Sequence, residues 1–526
     1  MEGFFNFVKF GIKVALNITR NQTKNFSYYV EKSQNIKGRN IQMSEEEKNE
    51  VNLEDKKLPS FAGVMFVLIY LVVAMGASVL WLNIPIHITL ISASLVATIV
   101  AMRSGYTWEE IEDAILHGCS IAMAPMLILM IIGAIIGSWI ASGTIQTIIY
   151  YGLQIMSPGW FLVTATLITA ITSVATGSAW TTGGTLGVAL IGIGKGLGIP
   201  LPIVAGAIVS GSFFGDKMSP LSDSTNLAAA VAEADLFDHI KHMMYTVGPA
   251  LLISLVIYFI IGLRFGEGTV NTAQIDQTLS TLQNSFHIGP LLLIPPLLVI
   301  VMAIKKMPAI PSLIIAAFTG AIFAMIFQGA SITEVTNAMN FGYTSDTGFK
   351  FVDELLTRGG IQNMMWTVSL GFIALSFGGI MEKTYMLEVL LDKIEPLIRN
   401  TGGLVATTIA TSYITDFAMA SQYMAIIIPG RMLMPAYKRL KLLPRNLSRA
   451  LEDGGTLVAP LVPWGLSGAF MTGALGVPTV EYIPFAVLCY ITPIISIIYG
   501  FTGMTMLYEG DVEGDEGYAE REEKSA

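Results

Sequence analysis

Long apolar runs separated by short polar stretches dominate the chain from residue 61 to residue 506. A run of about 20 apolar residues can cross a bilayer as an α-helix. Runs of this kind occupy residues 61–82, 86–102, 119–141, 160–175, 246–263, 289–304, 309–327, 364–381 and 482–506. Shorter or interrupted runs lie at 178–194, 199–214, 402–414, 417–436 and 455–475. The pattern predicts an all-α polytopic membrane protein with roughly 11–13 membrane segments, together with re-entrant hairpins.

Four interruptions of the apolar pattern occur as two pairs. Polar residues break it at 176–182 and 215–226 in the first half, and at 415–422 and 452–463 in the second half. Irregular backbone at membrane depth is tolerated only inside protein or along a watery cavity. Short segments interrupted by Gly and Pro at corresponding places in two halves are typical of the substrate site of a secondary transporter.

The two halves align at one offset. A shift of 240 residues places Pro460-Leu461 on Pro220-Leu221 and Gly455 on Gly215. We therefore predict two inverted-topology repeats with broken helices, residues 61–263 and 289–506, joined by a polar linker at 264–288. Because sequence identity between the halves is low, a chance similarity between glycine-rich helices is the alternative interpretation.

Composition supports a membrane location and argues against several function classes. The chain has 526 residues, of which 53% are hydrophobic and 13% charged, whereas soluble proteins carry about 25% charged residues. The net charge of −9 comes partly from the acidic tail at 507–526, so no nucleic-acid partner is expected. The chain contains no GxxxxGK[ST], HExxH or GxSxG motif, which argues against ATP-driven transport and against an intramembrane enzyme. We expect no cofactor, and a homodimer is left open.

Loop charge predicts the orientation of the chain. Residues 1–60 are polar and basic, so the positive-inside rule places the N-terminus in the cytoplasm. Residues 1–16 could form an amphipathic surface helix, and a disordered tail or a translation start at Met43 are the alternatives. A second basic stretch is also expected to face the cytoplasm; it contains Lys438, Arg439, Lys441, Arg445 and Arg449.

The break in the first half carries a dense set of oxygen ligands. Within eleven positions the chain offers Asp216, Ser219, Ser222, Asp223, Ser224, Thr225 and Asn226. A dehydrated sodium ion takes about five or six such oxygens, which are hard ligands for a hard cation. Pro220 lacks a backbone N–H, which frees neighbouring carbonyl groups for coordination. Because ionisable residues at membrane depth are costly, they indicate an ion or substrate path.

One carboxylate shared by Na⁺ and H⁺ is enough for exchange, because the two cations then compete for one site. Asp223 is the first choice, since it lies inside the Ser/Thr/Asn cluster, and Asp223→Asn is expected to abolish exchange. Asp216 is the second choice, with an ion pair to Lys217 as its alternative role. Ser222, Asp223 and Ser224 could equally cap the start of the next helix, which is compatible with ion binding.

The remaining candidates lie in the other breaks. Asp416 is a lone carboxylate in an uncharged run, so we expect a second cation ligand or a proton carrier there, with an interhelical hydrogen bond as the alternative. Thr181 is a further neutral ligand, although packing of small residues explains it nearly as well. Glu452-Asp453 offers similar chemistry, or else pairs with Arg449.

One long segment resembles a family signature. GSFFGDKMSPLSDSTNLA at 211–228, followed by the element at 235–240, resembles the signature of NhaC-type Na⁺/H⁺ antiporters. Thr415-Asp416 and the segment 429–432 are similar to the second-half pattern of that family. The resemblance covers about residues 60–506 and excludes both tails. It implies a secondary antiporter of an ion-transporter superfamily, in which inverted repeats form a scaffold and a moving transport domain with re-entrant hairpins.

These observations lead to one functional expectation and one alternative. We expect the chain to exchange cytoplasmic Na⁺ for external H⁺ across the cell membrane by alternating access, and so to serve pH homeostasis. The family that the chain resembles also contains malate/lactate exchangers. A Na⁺-coupled organic-anion antiporter is therefore the alternative, with Lys217 as the candidate anion-binding group.

Overall fold

A computed structural model describes residues 58–82, 84–265, 272–305, 307–391, 398 and 400–511. The chain divides into two units, Met1–Lys57 and Leu58–Ala526. The predicted surface helix at residues 1–16, the alternative start at Met43 and most of the acidic tail lie outside the described residues.

The second unit consists of α-helices joined by short breaks, and no β-strand occurs among the described residues. In chain order the helices are α1 Phe61–Ala77, α2 Ile86–Arg103, α3 Trp108–Ala141, α4 Thr144–Ile155, α5 Pro158–Thr176, α6 Ala179–Thr182, α7 Val188–Gly196, α8 Leu201–Met218, α9 Asp223–Val231, α10 Leu236–Leu263, α11 Thr272–Ser285, α12 Ile294–Ile304, α13 Ala309–Phe327, α14 Ile332–Phe341, α15 Lys350–Leu356, α16 Ile361–Lys383, α17 Met386–Leu391, α18 Thr401–Met419, α19 Gln422–Arg439, α20 Pro444–Leu451, α21 Leu466–Leu475, α22 Thr479–Tyr482 and α23 Val487–Thr502. Among the described residues, π-helical segments interrupt them at Ser78–Leu82, Gly183–Gly187 and Glu452–Thr456.

Helix length and composition agree with a polytopic membrane protein. Within the described residues, α2, α3, α5, α10, α13 and α16 are each long and apolar enough to cross a bilayer. Three more candidate spans are helix pairs bent by 98°, 46° and 55° at a short break. The predicted all-α polytopic fold is therefore confirmed. The number of crossings is not set by helix length alone, and the value of roughly 11–13 stays a prediction.

Glycines let the central helices approach closely. A Cβ on Gly118 of α3 would clash with the Leu375 carbonyl of α16. In the same way, a Cβ on Gly211 of α8 would clash with the Thr166 carbonyl of α5. Small residues permit such contacts in lipid, where the hydrophobic effect contributes little to helix association. The α5–α8 contact fixes the end of the helix that carries Asp216.

The four predicted breaks have matching backbone conformations in the two halves. Gly177 and Ala420 are left-handed, with φ of 68° and 56°. The residue after each of them is extended and caps the next helix through a serine hydroxyl. The other two breaks each contain two extended residues that match in the same way. All four pairs are 243 residues apart: Gly177/Ala420, Ser178/Ser421, Ser219/Val462 and Ser222/Gly465.

The match between the breaks supports the predicted repeat and corrects its offset. The sequence offset of 240 rests on proline and glycine identities, whereas the backbone breaks recur at 243. The stretch at 264–288 contains helix α11, so the predicted linker is not an open loop. The repeat boundaries themselves remain predictions.

Candidate cation site

The broken helices of both halves meet around one cavity of about 380 Å³. The first half contributes the turn from α5 into α6 and the turn from α8 into α9. The second half contributes the N-terminal residues of α19, Gln422 and Tyr423, and those of α21, Leu466 and Ser467. Residues of α3, α12 and α13 complete the wall. The two pairs of breaks that the sequence indicates therefore face the same space.

Hydroxyl and amide side chains hold the break between α8 and α9. Ser219 is extended, and its Oγ donates to the Val174 carbonyl at 2.8 Å while accepting the Leu221 N–H at 3.2 Å. Thr225 donates its hydroxyl back to the Lys217 carbonyl at 3.0 Å. Asn226 donates from Nδ2 to the Pro220 and Ser222 carbonyls at 2.9 and 2.7 Å. The sequence Ser-Pro-Leu-Ser thus forms a turn that is held by its own backbone carbonyls and by a bond from Ser219 to α5.

Asp216 is the buried carboxylate of the cavity. It lies in the last turn of α8, lines the cavity and is only 6% exposed. The hydroxyl of Ser222 and the backbone N–H of Ala179 are the donors beside it. Two further carboxylates, those of Asp223 and Glu452, lie near enough to interact with its charge. Asp216 is therefore a carboxylate shielded from water, with two neighbours that repel its charge when all three are ionised.

The other ligands of the cavity surround this carboxylate. Asp223 begins α9 and lines the cavity, but its side chain is exposed. Ser222 and Ser224 are buried and share a hydrogen bond of 3.1 Å between their hydroxyl oxygens. Thr181 lines the cavity from α6. Five of the nine residues predicted from the sequence thus line one space, with carboxylate and hydroxyl oxygens that suit a hard cation.

The remaining four predicted residues do not line the cavity. Ser219 donates its hydroxyl to the Val174 carbonyl of α5, and Thr225 and Asn226 donate to backbone carbonyls of the α8–α9 break. These three side chains therefore hold the break on which the ligands lie. Asp416 lies in α18, is 1% exposed, and does not line the cavity. Its Oδ2 has no hydrogen-bond partner in the described part of the chain. The role predicted for Asp416 as a cation ligand or proton carrier stays a prediction.

A buried ion pair links the two halves. Lys217 donates from Nζ to Oδ1 of Asp453, and both side chains are fully buried. Thr246 of α10 donates to the same oxygen at 3.1 Å. The alternative pairing of Lys217 with Asp216 is therefore wrong, because the lysine points to the π-helical segment of the second half. Its role as a free anion-binding group is contradicted for the same reason.

The alternative pairing of Glu452-Asp453 with Arg449 is seen only as a charge interaction between Arg449 and Asp453, because Asp453 forms its direct ion pair with Lys217. Arg449 is 1% exposed and donates from Nη1 to Oγ1 of Thr505 at 2.9 Å, and its other amino group contacts Met506. It therefore does not belong to an exposed basic loop. Glu452 is fully buried, and the hydroxyl groups of Thr456 and Ser224 lie beside its carboxylate.

The sequence only partly predicts which residues of the second half line the cavity. Trp180 of the first half stacks on Phe470 at 4.7 Å between ring centroids, and its indole N–H donates to Ser467 at 3.3 Å. Ser467 in turn donates to Oε1 of Gln422 at 3.1 Å. Tyr423 lies close enough to Asp216 and Asp223 to interact with both charges. The breaks that match between the two halves are the sequence signal for Gln422, Tyr423 and Ser467, because each of these residues lies within or just after a break of the second half.

The described part of the chain contains no group of three His, Cys, Asp or Glu side chains arranged to hold a metal ion. The cavity instead combines a buried carboxylate, a more exposed one and several hydroxyl groups. This set suits a hard cation, because carboxylate and hydroxyl oxygens are hard ligands.

Known proteins resemble nearly the whole chain. The model of the Na⁺/H⁺ antiporter family matches residues 24–225 and 211–504. The Na⁺/H⁺ antiporter NhaC of Alkalihalophilus pseudofirmus is 39% identical over 447 residues, which cover 84% of this chain and 96% of the relative. The malate-2H⁺/Na⁺-lactate antiporter of Bacillus subtilis is 38% identical, covering 87% and 97%. NhaC of Bacillus subtilis is 38% identical, covering 85% and 99%.

The relatives are named as antiporters, so the chain is a transporter and not an enzyme. The ranges that the family model matches include every break that lines the cavity. The helices that are long and apolar enough to cross a bilayer are consistent with this assignment. The chain is a multi-pass membrane protein that belongs to the Na⁺/H⁺ antiporter family.

Proposed function

We propose that this protein exchanges cytoplasmic Na⁺ for external H⁺ across the cell membrane. The observation that carries the proposal is the buried carboxylate of Asp216, which lies in a cavity formed by the broken helices of both halves. A carboxylate taken out of water must bind a cation or a proton to avoid a large desolvation cost. One group can therefore alternate between the two substrates.

The sodium ion binds among the carboxylate and hydroxyl groups that line the cavity. Asp216 supplies the charge, and the hydroxyl groups of Ser222, Ser224 and Thr181 supply neutral oxygens. Asp223 attracts the cation from the more exposed side of the site. Ser219, Thr225 and Asn226 hold the turn on which these ligands lie.

The exchange cycle uses one site in two orientations. With the carboxylate deprotonated, Na⁺ binds from the cytoplasm, and the transport domain then exposes the site to the outside. A proton displaces the sodium ion there, and the neutral site returns. The matched breaks of the two halves support such a movement, because a pair of broken repeats can rock around a fixed site.

The proposal includes an orientation and an oligomeric state. The N-terminus lies in the cytoplasm, as the basic residues 1–60 indicate. A homodimer remains a prediction. Labelling a single cysteine introduced before residue 60 with an impermeant maleimide in intact cells tests the orientation, and labelling without cell lysis would contradict it.

Proteoliposomes with an internal pH dye and an imposed pH gradient test the exchange. Addition of Na⁺ alone is expected to dissipate the gradient in vesicles that contain the protein and not in protein-free vesicles. A gradient that survives saturating Na⁺ would overturn the proposal.

The same vesicles test the organic-anion alternative. A Bacillus subtilis relative is named as a malate-2H⁺/Na⁺-lactate antiporter, but no Lys, Arg or His among the described residues lines this cavity. Malate or lactate is therefore expected to leave the Na⁺-dependent signal unchanged. Dissipation that requires either anion would favour the alternative.

A further inference from the structure

Trp180 of the first break is held by side chains of the second half. Its ring stacks on Phe470 of α21, with 4.7 Å between the ring centroids and 15° between the planes. Its indole N–H donates to Oγ of Ser467 at 3.3 Å, and Ser467 donates in turn to Oε1 of Gln422 at 3.1 Å. Phe470 and Ser467 are both buried. The second half therefore fixes both the plane and the edge of this indole ring.

The polar groups of this contact form a chain that runs in one direction. An indole N–H can only donate. Oγ of Ser467 therefore accepts from Trp180, and the Ser467 proton points to Gln422. Hydrogen bonds in series polarise and so strengthen one another inside a protein. The Trp180 chain, which consists of Trp180, Ser467 and Gln422, thus links the first break to the second half.

Trp180 lies between two residues of the cation site. Before it in the sequence, the backbone N–H of Ala179 lies beside the Asp216 carboxylate. After it, Thr181 lines the cavity. These residues form the first turn of α6, directly after the break, and the N–H groups at the start of a helix have no partner within it. The positions of Ala179 and Thr181 therefore depend on what holds Trp180.

The matching turn of the second half repeats the framework of the site without its charge. At the offset of 243 residues Ser467 matches Ser224, but Leu466 stands at the position of Asp223. Both second-half residues line the cavity. A turn without a carboxylate cannot compensate the lost hydration of a cation by itself. We therefore expect this turn to position the ligands of the first half rather than to supply charge.

We propose that the Trp180 chain sets the preference of the site for Na⁺ over Li⁺, because it fixes Ala179 and Thr181 around Asp216. The two ions carry the same charge and differ mainly in size. A cage of oxygen ligands discriminates between them by its size and its flexibility, and precise sites are held by packing and by hydrogen bonds from outside the ligand set. The members of the chain are positioning residues. This inference rests on the proposed function, because it concerns the same cation site.

Ion selectivity in proteoliposomes is the first test. Ser467→Ala is expected to raise the Na⁺ concentration for half-maximal dissipation of the pH gradient by about tenfold and the Li⁺ concentration by much less, with little change in the maximal rates. Ser467→Thr keeps the hydroxyl group and is expected to keep the wild-type ratio of the two concentrations.

Ser254→Ala is the matched control. Ser254 is equally buried, and its hydroxyl donates to the Ala250 carbonyl of its own helix at 2.7 Å. Its removal is expected to leave the ratio unchanged. A wild-type protein that does not prefer Na⁺ would overturn the proposal, as would an unchanged ratio in Ser467→Ala.

A double-mutant cycle tests whether Trp180 and Ser467 act through one link. Trp180→Phe keeps an aromatic ring on Phe470 but removes the N–H, so it is expected to shift the ion ratio as Ser467→Ala does. The double variant is expected to shift it no further, because either change alone breaks the link. Trp139→Phe removes an indole bond to the Ala316 carbonyl elsewhere and is expected to leave the ratio unchanged. Additive shifts in the double variant would overturn the proposal.

A binding measurement separates this proposal from the proposed function. Na⁺ is expected to raise the thermal unfolding midpoint of the purified protein in detergent at lower concentration than Li⁺ does, because an ion that binds only the folded state stabilises it. Ser467→Ala is expected to bring the two concentrations together. If this occurs while vesicles show no Na⁺/H⁺ exchange, the exchange proposal fails and the selectivity proposal stands. If wild-type vesicles exchange Na⁺ and Ser467→Ala keeps the wild-type ion ratio, the selectivity proposal fails alone.

Discussion

Burial separates the two carboxylates that line the cavity. Asp216 is 6% exposed, whereas the side chain of Asp223 is exposed at the start of α9. A carboxylate that has lost its water depends on a bound cation or a proton, while an exposed one is already hydrated. Burial therefore favours Asp216 as the carboxylate that Na⁺ and H⁺ share, whereas the sequence pattern favours Asp223.

Two substitutions decide between these residues. Asp216→Asn is expected to lower Na⁺/H⁺ exchange in proteoliposomes by about a hundredfold or more, because a buried charge contact is worth about 3 kcal/mol. Asp223→Asn is expected to raise the Na⁺ concentration for half-maximal exchange by less than about tenfold, since an exposed charge is screened by water. Membrane insertion of both variants serves as the control. The opposite order of effects would favour the ranking by sequence.

At the scale of elements, contacts between glycine and a facing backbone place the helix ends. Gly211 of α8 lies against the Thr166 carbonyl of α5, and the same helix carries Asp216 one and a half turns later. A side chain at this contact would force the helices apart and move the carboxylate. The position of the site therefore depends on a residue without a side chain.

The variant Gly211→Ala tests this dependence. Overpacking is expected to lower the free energy of unfolding by about 1–3 kcal/mol and to impair exchange. Gly76→Ala is the matched control, because Gly76 also lies in a helix but nothing lies within 4 Å of the position of a Cβ there. Thermal unfolding in detergent provides the measurement. Equal unfolding midpoints for the two variants would contradict the argument.

The left-handed residue at the first break of each half offers a second test. Gly177 has φ of 68° and an added Cβ would contact Leu221, whereas the matching position is already an alanine, Ala420, with φ of 56°. A left-handed conformation costs a non-glycine residue roughly 1–2 kcal/mol. Gly177→Ala is therefore expected to lower the unfolding midpoint and Ala420→Gly to raise it. A fall in the midpoint for Ala420→Gly would show that the alanine side chain is needed there.

At the scale of the whole molecule, the buried pair of Lys217 and Asp453 joins the two halves. Its partners come from α8 and from the π-helical segment at Glu452–Thr456, and both are shielded from water. Such a pair contributes little net stability when intact, because desolvation offsets attraction. Breaking it, however, leaves an uncompensated charge inside the protein.

A double-mutant cycle measures the coupling. Lys217→Gln alone is expected to destabilise the protein by about 3–5 kcal/mol, and Asp453→Asn alone by a similar amount. The double variant is expected to recover much of this loss, because no charge then remains unpaired. Unfolding midpoints in detergent report the effect. Strictly additive losses would show that the two residues act independently.

The sequence predicted the helices and the breaks well and the partners of the buried charges poorly. Apolar runs and Gly/Pro interruptions are local signals, so they identified the helices and the turn that carries Asp216. The pairing of Lys217 with Asp453 joins residues 236 positions apart, and only packing decides it. Because Asp216 is next to Lys217 in the sequence, it is the partner that the sequence suggests, and that alternative is wrong.

The exposure of Asp223 could not be predicted from the sequence for a related reason. Its polar neighbours suggest the centre of a site, but Ser219 donates to the Val174 carbonyl of α5, and Thr225 and Asn226 donate to backbone carbonyls of the α8–α9 break. Tyr423 and Ser467 line the same cavity but belong to the other half, so the polar cluster of the first half gives no signal for them. A sequence lists the ligands of one turn, whereas the space they share is set by helices from both halves.

The ion pair between Lys217 and Asp453 also has a consequence for the insertion of the chain into the membrane during synthesis. The lysine leaves the ribosome 236 residues before its partner, which takes roughly 10–50 s at about 5–20 residues per second. During that interval a lysine in the membrane costs about 2.5–3.5 kcal/mol without compensation. The pair can therefore form only after the second half has been inserted, so the first half carries this cost alone in the meantime.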